Sequence, residues 1–452
     1  MKKTLISIIT AIYIMIAFFS LISPVYAEKN IKTKNSISEK NTKNENTKTG
    51  ISDEEEEEDF SPVSKYLLIV DLDSSRVLYD DDSEKEFNPG ALVKILTAIT
   101  VIENCADISK KIAPVMPVLD DYDYDNYGNI GLIYEEKISI RNLIEAMMIT
   151  DAGDCALTLA HNIGDSYDEF IRLMNDTAKK AGAKNSVFTD PAGFDKKHQK
   201  TTLADMAKIT EYALKNKTFC SITSKEKTEI PATNKTFGSR IIFNRNNFLS
   251  KYYSVNYYNP NVTFAKSYYI SEEDCGMIAR YQNSASNILL LCAKSKYTYA
   301  NRSYDDINYL INYTNENFKQ VTLISEDEFV YEAPIDNGYN SDRVLLVSAV
   351  PVKVKLENDY DSSKIKRKIK LIDNIQAPIK KGQFLGTATI YYGKEKCGQA
   401  KLVSYSDIER SNITYIKNKI RAFVGSGYFK LFVTIILLIF IYKVIKINRR
   451  KN

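Results

Sequence analysis

The sequence predicts an α+β fold, with helices on an antiparallel sheet, followed by a small all-β domain and a C-terminal membrane helix. Between residues 61 and 318, strand-like stretches occur at both ends and stretches with helical spacing lie between them. Residues 319–406 contain only short candidate strands, separated by glycines. An apolar segment near the C-terminus is then long enough to cross a bilayer.

Length and charge exclude several classes of protein. The chain has 452 residues, which predicts two or three domains with their own cores. Its 61 basic and 57 acidic side chains give a net charge of +4, too balanced for a general nucleic-acid binder. It has two histidines, His161 and His198, and six cysteines without a Cys-x-x-Cys pair. We therefore expect no metal, no cofactor and no nucleic-acid partner.

The N-terminal 60 residues predict export and a spacer. Lys2 and Lys3 precede an apolar run at residues 5–22, and small residues lead up to Ala27, as in a cleaved signal peptide over residues 1–27. The alternative is an uncleaved N-terminal anchor. Residues 28–60 are polar and end in an acidic block, which is typical of a disordered, self-repelling spacer.

The C-terminal region predicts a membrane anchor. An amphipathic linker at residues 407–427 leads into an apolar segment at 428–447, if Lys430 and Lys443 snorkel to the membrane surfaces. The basic tail at 448–452 is expected in the cytoplasm, because positively charged flanks stay inside. The globular domains are then extracellular on a single C-terminal anchor in the cell membrane. The alternative is a helix that lies on the membrane surface.

Within residues 61–318, the patterns predict individual strands and helices. The candidate strands of this first domain are residues 66–70, 76–79, 275–281 and 288–293. The candidate helices are residues 89–103, two segments within 142–162 that break near 151–153, and 204–214. In the second domain, the candidate strands are residues 344–347, 352–356, 365–371, 384–391 and 400–403.

Several stretches together resemble one family. They are YLLIVDLDSSRVLY at residues 66–79, AKKAGAKNSVFTDPAGF at 178–194 and APIKKG at 377–382. On these residues the chain resembles the D-alanyl-D-alanine carboxypeptidases, the low-molecular-mass penicillin-binding proteins, over residues 65–403. The resemblance implies a β-lactamase/transpeptidase-like first domain, a β domain behind it, and a role in peptidoglycan metabolism.

The nucleophile of this serine peptidase family is missing from the matching position. The family opens a helix with Ser-x-x-Lys, so that the lysine lies one turn after the serine and can take its proton. The matching residues 89–94 read PGALVK, which keeps Lys94 but places Ala91 where the serine would be. Alanine has no group that attacks a carbonyl, so the resemblance implies a degenerate member.

The other two catalytic motifs of the family also depart from the pattern. The Ser-x-Asn motif matches Ala152-Gly153-Asp154, which lacks the hydroxyl and has a carboxylate in place of the amide. The Lys-Thr-Gly motif matches best at residues 266–268, where Lys266 and Ser267 are followed by a tyrosine instead of glycine. We expect that tyrosine to crowd the edge strand along which substrate would pair.

The surviving polar residues allow two interpretations. Lys94, Lys266 and Ser267 could still bind an anionic ligand such as a peptide carboxylate, or Asp154 could neutralise both lysines. Cys155 would be a relocated nucleophile in a rearranged enzyme.

Two further cysteines, Cys275 and Cys292, would form a cross-strand disulfide if the hairpin between them turns near residues 283–284.

Three hypotheses about function follow. The favoured one is a pseudoenzyme that binds peptidoglycan stem peptides or a cell-wall enzyme without cleaving them. The second is an active D-Ala-D-Ala carboxypeptidase with rearranged chemistry. The third is an envelope interaction module that acts through its β domain.

Overall fold

Strands and helices form largely where the residue patterns predict them. The computed structural model describes residues 61–120, 122–125, 127–298 and 301–449. The predicted signal peptide and spacer, residues 1–60, lie outside these ranges, as do the last residues of the predicted cytoplasmic tail.

The strands of the described chain all pair antiparallel with their sheet neighbours. They are β1 (Tyr66–Asp71), β2 (Arg76–Asp81), β3 (Lys111–Ile112), β4 (Ile138–Ser139), β5 (Lys227–Ile230), β6 (Arg240–Phe243), β7 (Val262–Ser271), β8 (Asp274–Gln282), β9 (Asn287–Ser295), β10 (Phe318–Ile324), β11 (Phe329–Pro334), β12 (Arg343–Ser348), β13 (Val352–Glu357), β14 (Ile365–Leu371), β15 (Phe384–Tyr392) and β16 (Glu395–Ser404).

Helices lie between β2 and β5, at the end of the first domain, and at the C-terminal end of the described chain. They are α1 (Val93–Asn104), α2 (Met116–Asp120), α3 (Ile140–Thr150), α4 (Gly153–Asn162), α5 (Tyr167–Ala181), α6 (Leu203–Leu214), α7 (Lys217–Thr223), α8 (Ser303–Asn317), α9 (Asn412–Gly425) and α10 (Gly427–Arg449). Single 3-10 turns at Gly90–Leu92 and Ser362–Lys364 precede α1 and β14.

The first domain is a five-stranded sheet covered on both faces. Its strand order is β2-β1-β9-β8-β7, so β7 is an edge strand. The central strands β8 and β9 are buried almost throughout, because one face packs on α1 and its neighbouring helices and the other packs on α8. Helix α1 is buried on nearly every side, as expected for an apolar helix at the centre of a core.

The second domain has a separate core of its own. Its main sheet has the order β11-β12-β16-β15-β14, and β10 pairs with β13 beside it. The mixed first domain and the all-β second domain confirm the predicted fold class. The elements that the sequence patterns missed include α5, α8, β10 and β11.

One arginine joins the two domains. The side chain of Arg76 on β2 is 8% exposed and lies 2.7 Å from the carboxylate of Glu357 and 2.9 Å from that of Glu395. Its third hydrogen bond, at 3.0 Å, goes to the carbonyl oxygen of Lys355. Both acids belong to the second domain, so this fork fixes one domain against the other through charge-assisted bonds.

The hairpin register separates the two cysteines that were predicted to pair. A bulge in β8 places Cys275 opposite Ser295, whereas Cys292 lies opposite Met277. Both thiols are free and buried, so the predicted cross-strand disulfide is not formed in this structure.

The C-terminal region continues from the β domain as two helices. In α9, apolar side chains including Ile413, Ile416 and Ile420 are exposed. Residues Gly427–Ile447 of α10 have a mean hydropathy of 2.2 and form the one helix of the described chain that is long and apolar enough to cross a membrane.

We expect Arg76→Met to lower the free energy of unfolding by about 2 kcal/mol, because it removes buried charge-assisted bonds whose acidic partners are partly exposed. Urea unfolding followed by tyrosine fluorescence measures this, since the chain has 31 tyrosines and no tryptophan. The control Arg343→Met breaks an exposed pair with Glu332 and should cost less than about 1 kcal/mol. Equal losses in both variants would contradict a special role for Arg76.

Candidate functional site

The start of α1 positions the two residues of the first motif. Asn88 accepts a hydrogen bond from the amide of Gly90 at 2.9 Å, and the chain then makes a 3-10 turn with Gly90 at φ +48°. Ala91 lies in this turn and is half-buried. Lys94 follows one turn later inside the domain, with only 2% of its surface exposed.

An aspartate outside the predicted motif holds both lysines. Asp151 ends α3 in the left-handed conformation, with φ +66°, so that its carboxylate turns back towards α1 and β7. Its Oδ1 lies 3.0 Å from Lys94 Nζ and 2.8 Å from Lys266 Nζ. Lys94 Nζ also donates to the carbonyl oxygen of Ala192 at 2.7 Å. We call Lys94, Asp151 and Lys266 the ion triad.

Burial and charge act in opposite directions on the ion triad. Burial raises the pKa of Asp151, but the two ammonium groups outweigh it and leave that pKa below its ordinary value. Burial lowers the pKa of Lys266, and the attraction of Asp151 offsets this only in part. One carboxylate therefore balances two ammonium groups, and the triad retains an excess of positive charge.

A third cation lies close to the triad. The backbone amide of Arg245 donates to the carbonyl oxygen of Ile149 at 3.0 Å, and the positive charge of Arg245 helps to lower the pKa of Lys266. Its side chain is exposed, so it is accessible to a ligand.

The second motif turns its carboxylate away from the lysines. Asp154 is buried, and its Oδ2 accepts hydrogen bonds from the amides of Ile130 at 3.1 Å and Leu132 at 3.3 Å. Burial raises the pKa of Asp154, and these amides lower it in part. Asp154 therefore ties down the loop at residues 130–132, and Asp151 performs the neutralisation for which Asp154 was the candidate. Ala152 is buried and supplies no hydroxyl.

In the third motif, Tyr268 lies inside the domain instead of over the substrate edge. Its ring is 2% exposed, and its hydroxyl donates to Asp274 Oδ1 at 3.0 Å and accepts from the amide of Lys294 at 3.1 Å. Gly276 on β8 makes room for it, because a Cβ there would lie 2.6 Å from Tyr268 Cε1. The ring therefore packs inside the domain and towards the 3-10 turn, where a Cβ on Gly90 would lie 3.2 Å from Tyr268 Cδ2, and it is not exposed along the strand edge as expected.

Strand alternation separates the other two residues of that motif. Lys266 and Tyr268 point to the α1 face of the sheet, whereas Ser267 points to the opposite face and is half-buried. The structure thus brings Lys94 and Lys266 together and leaves Ser267 apart from them.

Cys155 does not replace the missing nucleophile. It is fully buried in the core around α1, and burial raises the pKa of its thiol well above the ordinary value. A reactive cysteine needs the opposite environment, with access and a lowered pKa.

Aromatic side chains cover the triad from one side. The ring of Phe194 lies 5.8 Å from Lys94 Nζ and stacks on Tyr127 at 3.9 Å. Gly193 lets this loop approach the 3-10 turn, because it has φ +88° and a Cβ there would lie 2.2 Å from the carbonyl oxygen of Gly90. Sequence reasoning missed Asp151, Arg245 and Phe194; only the position of Asp151 directly before the second motif could have suggested it.

Comparison with known families identifies the family of this chain. A family model described as "D-alanyl-D-alanine carboxypeptidase" matches residues 53–285, more than half of the chain. This chain belongs to the D-alanyl-D-alanine carboxypeptidase family. The model of the penicillin-binding protein 5 C-terminal domain matches residues 318–410, which cover the second domain. The resemblance found in the sequence motifs is thereby confirmed.

Relatives match over most of the chain. The D-alanyl-D-alanine carboxypeptidase DacF of Bacillus subtilis is 23% identical over 359 residues, which are 78% of this chain and 88% of that protein. A structure of a peptidoglycan synthesis regulatory factor (PBP3) from Streptococcus pneumoniae superposes with a TM-score of 0.68 at 16% identity, covering 77% of this chain and 100% of that one. The structure of penicillin-binding protein 5 from Haemophilus influenzae superposes with a TM-score of 0.59 at 19% identity, covering 80% of this chain and 100% of that one. At these identities the two structures establish the fold.

We expect Asp151→Asn to lower the free energy of unfolding by about 2 kcal/mol at neutral pH, because two buried ammonium groups lose a partly exposed carboxylate. The pKa of Asp151 is lowered by folding, so its contribution is present above about pH 4 and is lost as the pH falls through the folded value. Urea unfolding at several pH values measures both effects.

The matched control is Asp176→Asn. Asp176 pairs with Arg172 at 2.8 Å on the surface, where both side chains are exposed, so this change should cost less than about 1 kcal/mol. A deficit of Asp151→Asn that persists unchanged below pH 3 would contradict the assignment of its effect to the carboxylate.

Proposed function

We propose that this protein is an exported, membrane-anchored member of its family that takes part in peptidoglycan metabolism by binding stem peptides without hydrolysing them. The observation that carries the proposal is Ala91 in the 3-10 turn, one helical turn before Lys94. In a comparable serine hydrolase, loss of the nucleophile reduces the rate by about 10⁶. That factor corresponds to roughly 8 kcal/mol of barrier.

The surroundings of Lys94 support the loss of its catalytic role. A general base must be free to take a proton, whereas Lys94 Nζ faces two acceptors, the carboxylate of Asp151 and the carbonyl oxygen of Ala192. Lys94 Nζ is therefore already engaged as a donor to both groups. Ala152 offers no hydroxyl to relay a proton in place of the lysine.

The alternative of an enzyme with rearranged chemistry depends on Cys155. The depth of this thiol and its raised pKa leave it without access to a substrate and without thiolate character. The geometry therefore favours binding over a relocated nucleophile.

Two features of the site support binding of a peptide that ends in a carboxylate. The outer edge of β7 has no strand partner among the described residues, so an extended peptide can add to it. Near that edge, Lys266, Lys94 and Arg245 outnumber the single carboxylate of Asp151. A terminal carboxylate would meet a net positive charge there.

The C-terminal helix supports the proposed location. Residues Gly427–Ile447 are long and apolar enough to span a bilayer, and basic residues end the helix. Together with the N-terminal signal predicted from the sequence, this helix supports the proposal that the two domains lie outside the cell on one anchor.

We expect no D-alanine release above the buffer rate when the full chain is incubated with a peptidoglycan pentapeptide, because no nucleophile is present. An active carboxypeptidase serves as the positive control. Ala91→Ser, run in parallel, should restore at most slow release, since Asp151 and Ala152 remain in place. Release by the unaltered protein at a rate near that of the active enzyme would contradict the proposal.

We further expect a fluorescent pentapeptide ending in D-Ala-D-Ala to bind the protein, and Arg245→Gln to weaken that binding about tenfold, as loss of a charge-assisted hydrogen bond does. Fluorescence polarisation measures the affinity. Amidation of the peptide C-terminus should reduce binding to a similar extent, and should have little further effect on Arg245→Gln. Absence of binding by the unaltered protein would favour a protein partner in place of the stem peptide.

A further inference from the structure

The outward face of the second domain's sheet carries five lysines in a regular array, here called the lysine face. Strands β14, β15 and β16 are neighbours, and their register aligns outward residues in three rows. The rows are Lys370–Thr387–Lys401, Lys368–Thr389–Gln399 and Lys366–Tyr391–Lys396. Residues that alternate with these, such as Ile369 and Ala388, pack into the core on the other side.

The positive charge of the lysine face is not neutralised. All five lysines are exposed, and none of them has an acidic side chain within 4.0 Å among the described residues. The nine positions of the three rows include no acidic residue. At the far edge of the same sheet, Glu332 on β11 is already paired with Arg343 at 3.3 Å.

Protection of a sheet edge explains only part of this array. Lysines on an edge strand prevent pairing with other chains, and β14 is an edge strand. However, Lys396 and Lys401 lie on β16, which has β12 and β15 on its two sides. Like charges do not stabilise one another, so the presence of lysines on both sides of β15 points to an anionic ligand.

The spacing of the array fits a linear ligand. Outward residues that alternate along a strand lie about 6.7 Å apart, so the three lysines of β14 form a line about 13 Å long that runs along the strand and across the three rows. Thr387 and Thr389 on β15 lie between the lysines of β14 and those of β16, and they supply hydroxyl donors. Lysine binds phosphate as a point charge without requiring a fixed orientation. We propose that the lysine face binds a linear polymer of regularly spaced phosphate groups.

The composition of the face argues against an acidic protein as the ligand. Stable protein interfaces have an apolar centre rich in aromatic side chains. The three rows contain no aliphatic side chain, and Tyr391 is their single aromatic residue.

The orientation of the rows argues against a lipid surface. The row with Lys396 lies beside the first domain, because the adjacent Glu395 pairs with Arg76. The anchor departs from the opposite edge of the sheet, where the amide of Ser411 donates to the carbonyl oxygen of Asn337 in the loop after β11. The lysine face therefore begins beside the first domain, and its Lys370–Thr387–Lys401 row alone lies towards the end of the sheet from which the anchor departs.

The test uses the full chain in phosphatidylcholine nanodiscs with long-chain inorganic polyphosphate as the probe. We expect Lys366→Gln/Lys368→Gln/Lys370→Gln to weaken binding at least tenfold. It should also reduce the slope of log affinity against log salt by about 2, because each contact to a flexible polyanion contributes about 0.7. The corresponding triple arginine variant should retain binding, which shows that the fold is intact.

A matched control removes equal charge elsewhere. Lys110→Gln/Lys196→Gln/Lys217→Gln changes three exposed lysines of the first domain and should leave the affinity within about twofold. Equal losses in both triple glutamine variants would show binding by net charge and overturn the proposal, as would failure of the unaltered protein to bind polyphosphate at low salt.

Two further binding experiments distinguish a phosphate polymer from an acidic protein and from a lipid surface. Polyglutamate that binds as tightly as polyphosphate, with the same dependence on the β14 lysines, would identify an acidic protein ligand. Phosphatidylglycerol nanodiscs that displace polyphosphate only when those lysines are present would identify a lipid contact. Either result would overturn the proposal, and neither depends on whether the site in the first domain hydrolyses or binds peptides.

Discussion

The centre of the first domain depends on one carboxylate that is shared by two buried lysines. Lys94 comes from α1 and Lys266 from the edge strand β7, so without Asp151 two like charges would face each other in a largely desolvated space. Asp151 reaches both because α3 ends in a left-handed residue that turns the side chain back. The helix end, the central helix and the sheet edge are thereby joined at a single point.

This shared contact also determines the surroundings of the residues at the three family motifs. The lysines of two family motifs are present, and both contact the carboxylate of Asp151. The remaining changes agree with this: Asp154 ties down a neighbouring loop, and Tyr268 fills a space that Gly276 leaves on the sheet. A change of Ala91 alone to serine would therefore place a hydroxyl beside groups that already have other partners.

The second domain has a different distribution of charge. One face of its main sheet is apolar and forms a core, whereas the other carries the lysine face. Arg76 connects the two domains through Glu357 and Glu395 and holds the lysine face beside the first domain. The proposed ligands of the lysine face and of the β7 edge would thus bind to domains that Arg76 links directly.

The sequence by itself determined the fold class, most strands and helices, the family and the missing nucleophile. These depend on local periodicity and on motifs of adjacent residues, which the chain order preserves. It did not reveal that Asp151 neutralises the lysines, that Arg245 lies beside them, or that Tyr268 turns inward. Each of these depends on contacts between residues far apart in the chain, and on details such as a left-handed helix end or a glycine opposite a ring. Only the tertiary structure decides such contacts, because a one-residue change of register in a strand would send every side chain to the other face.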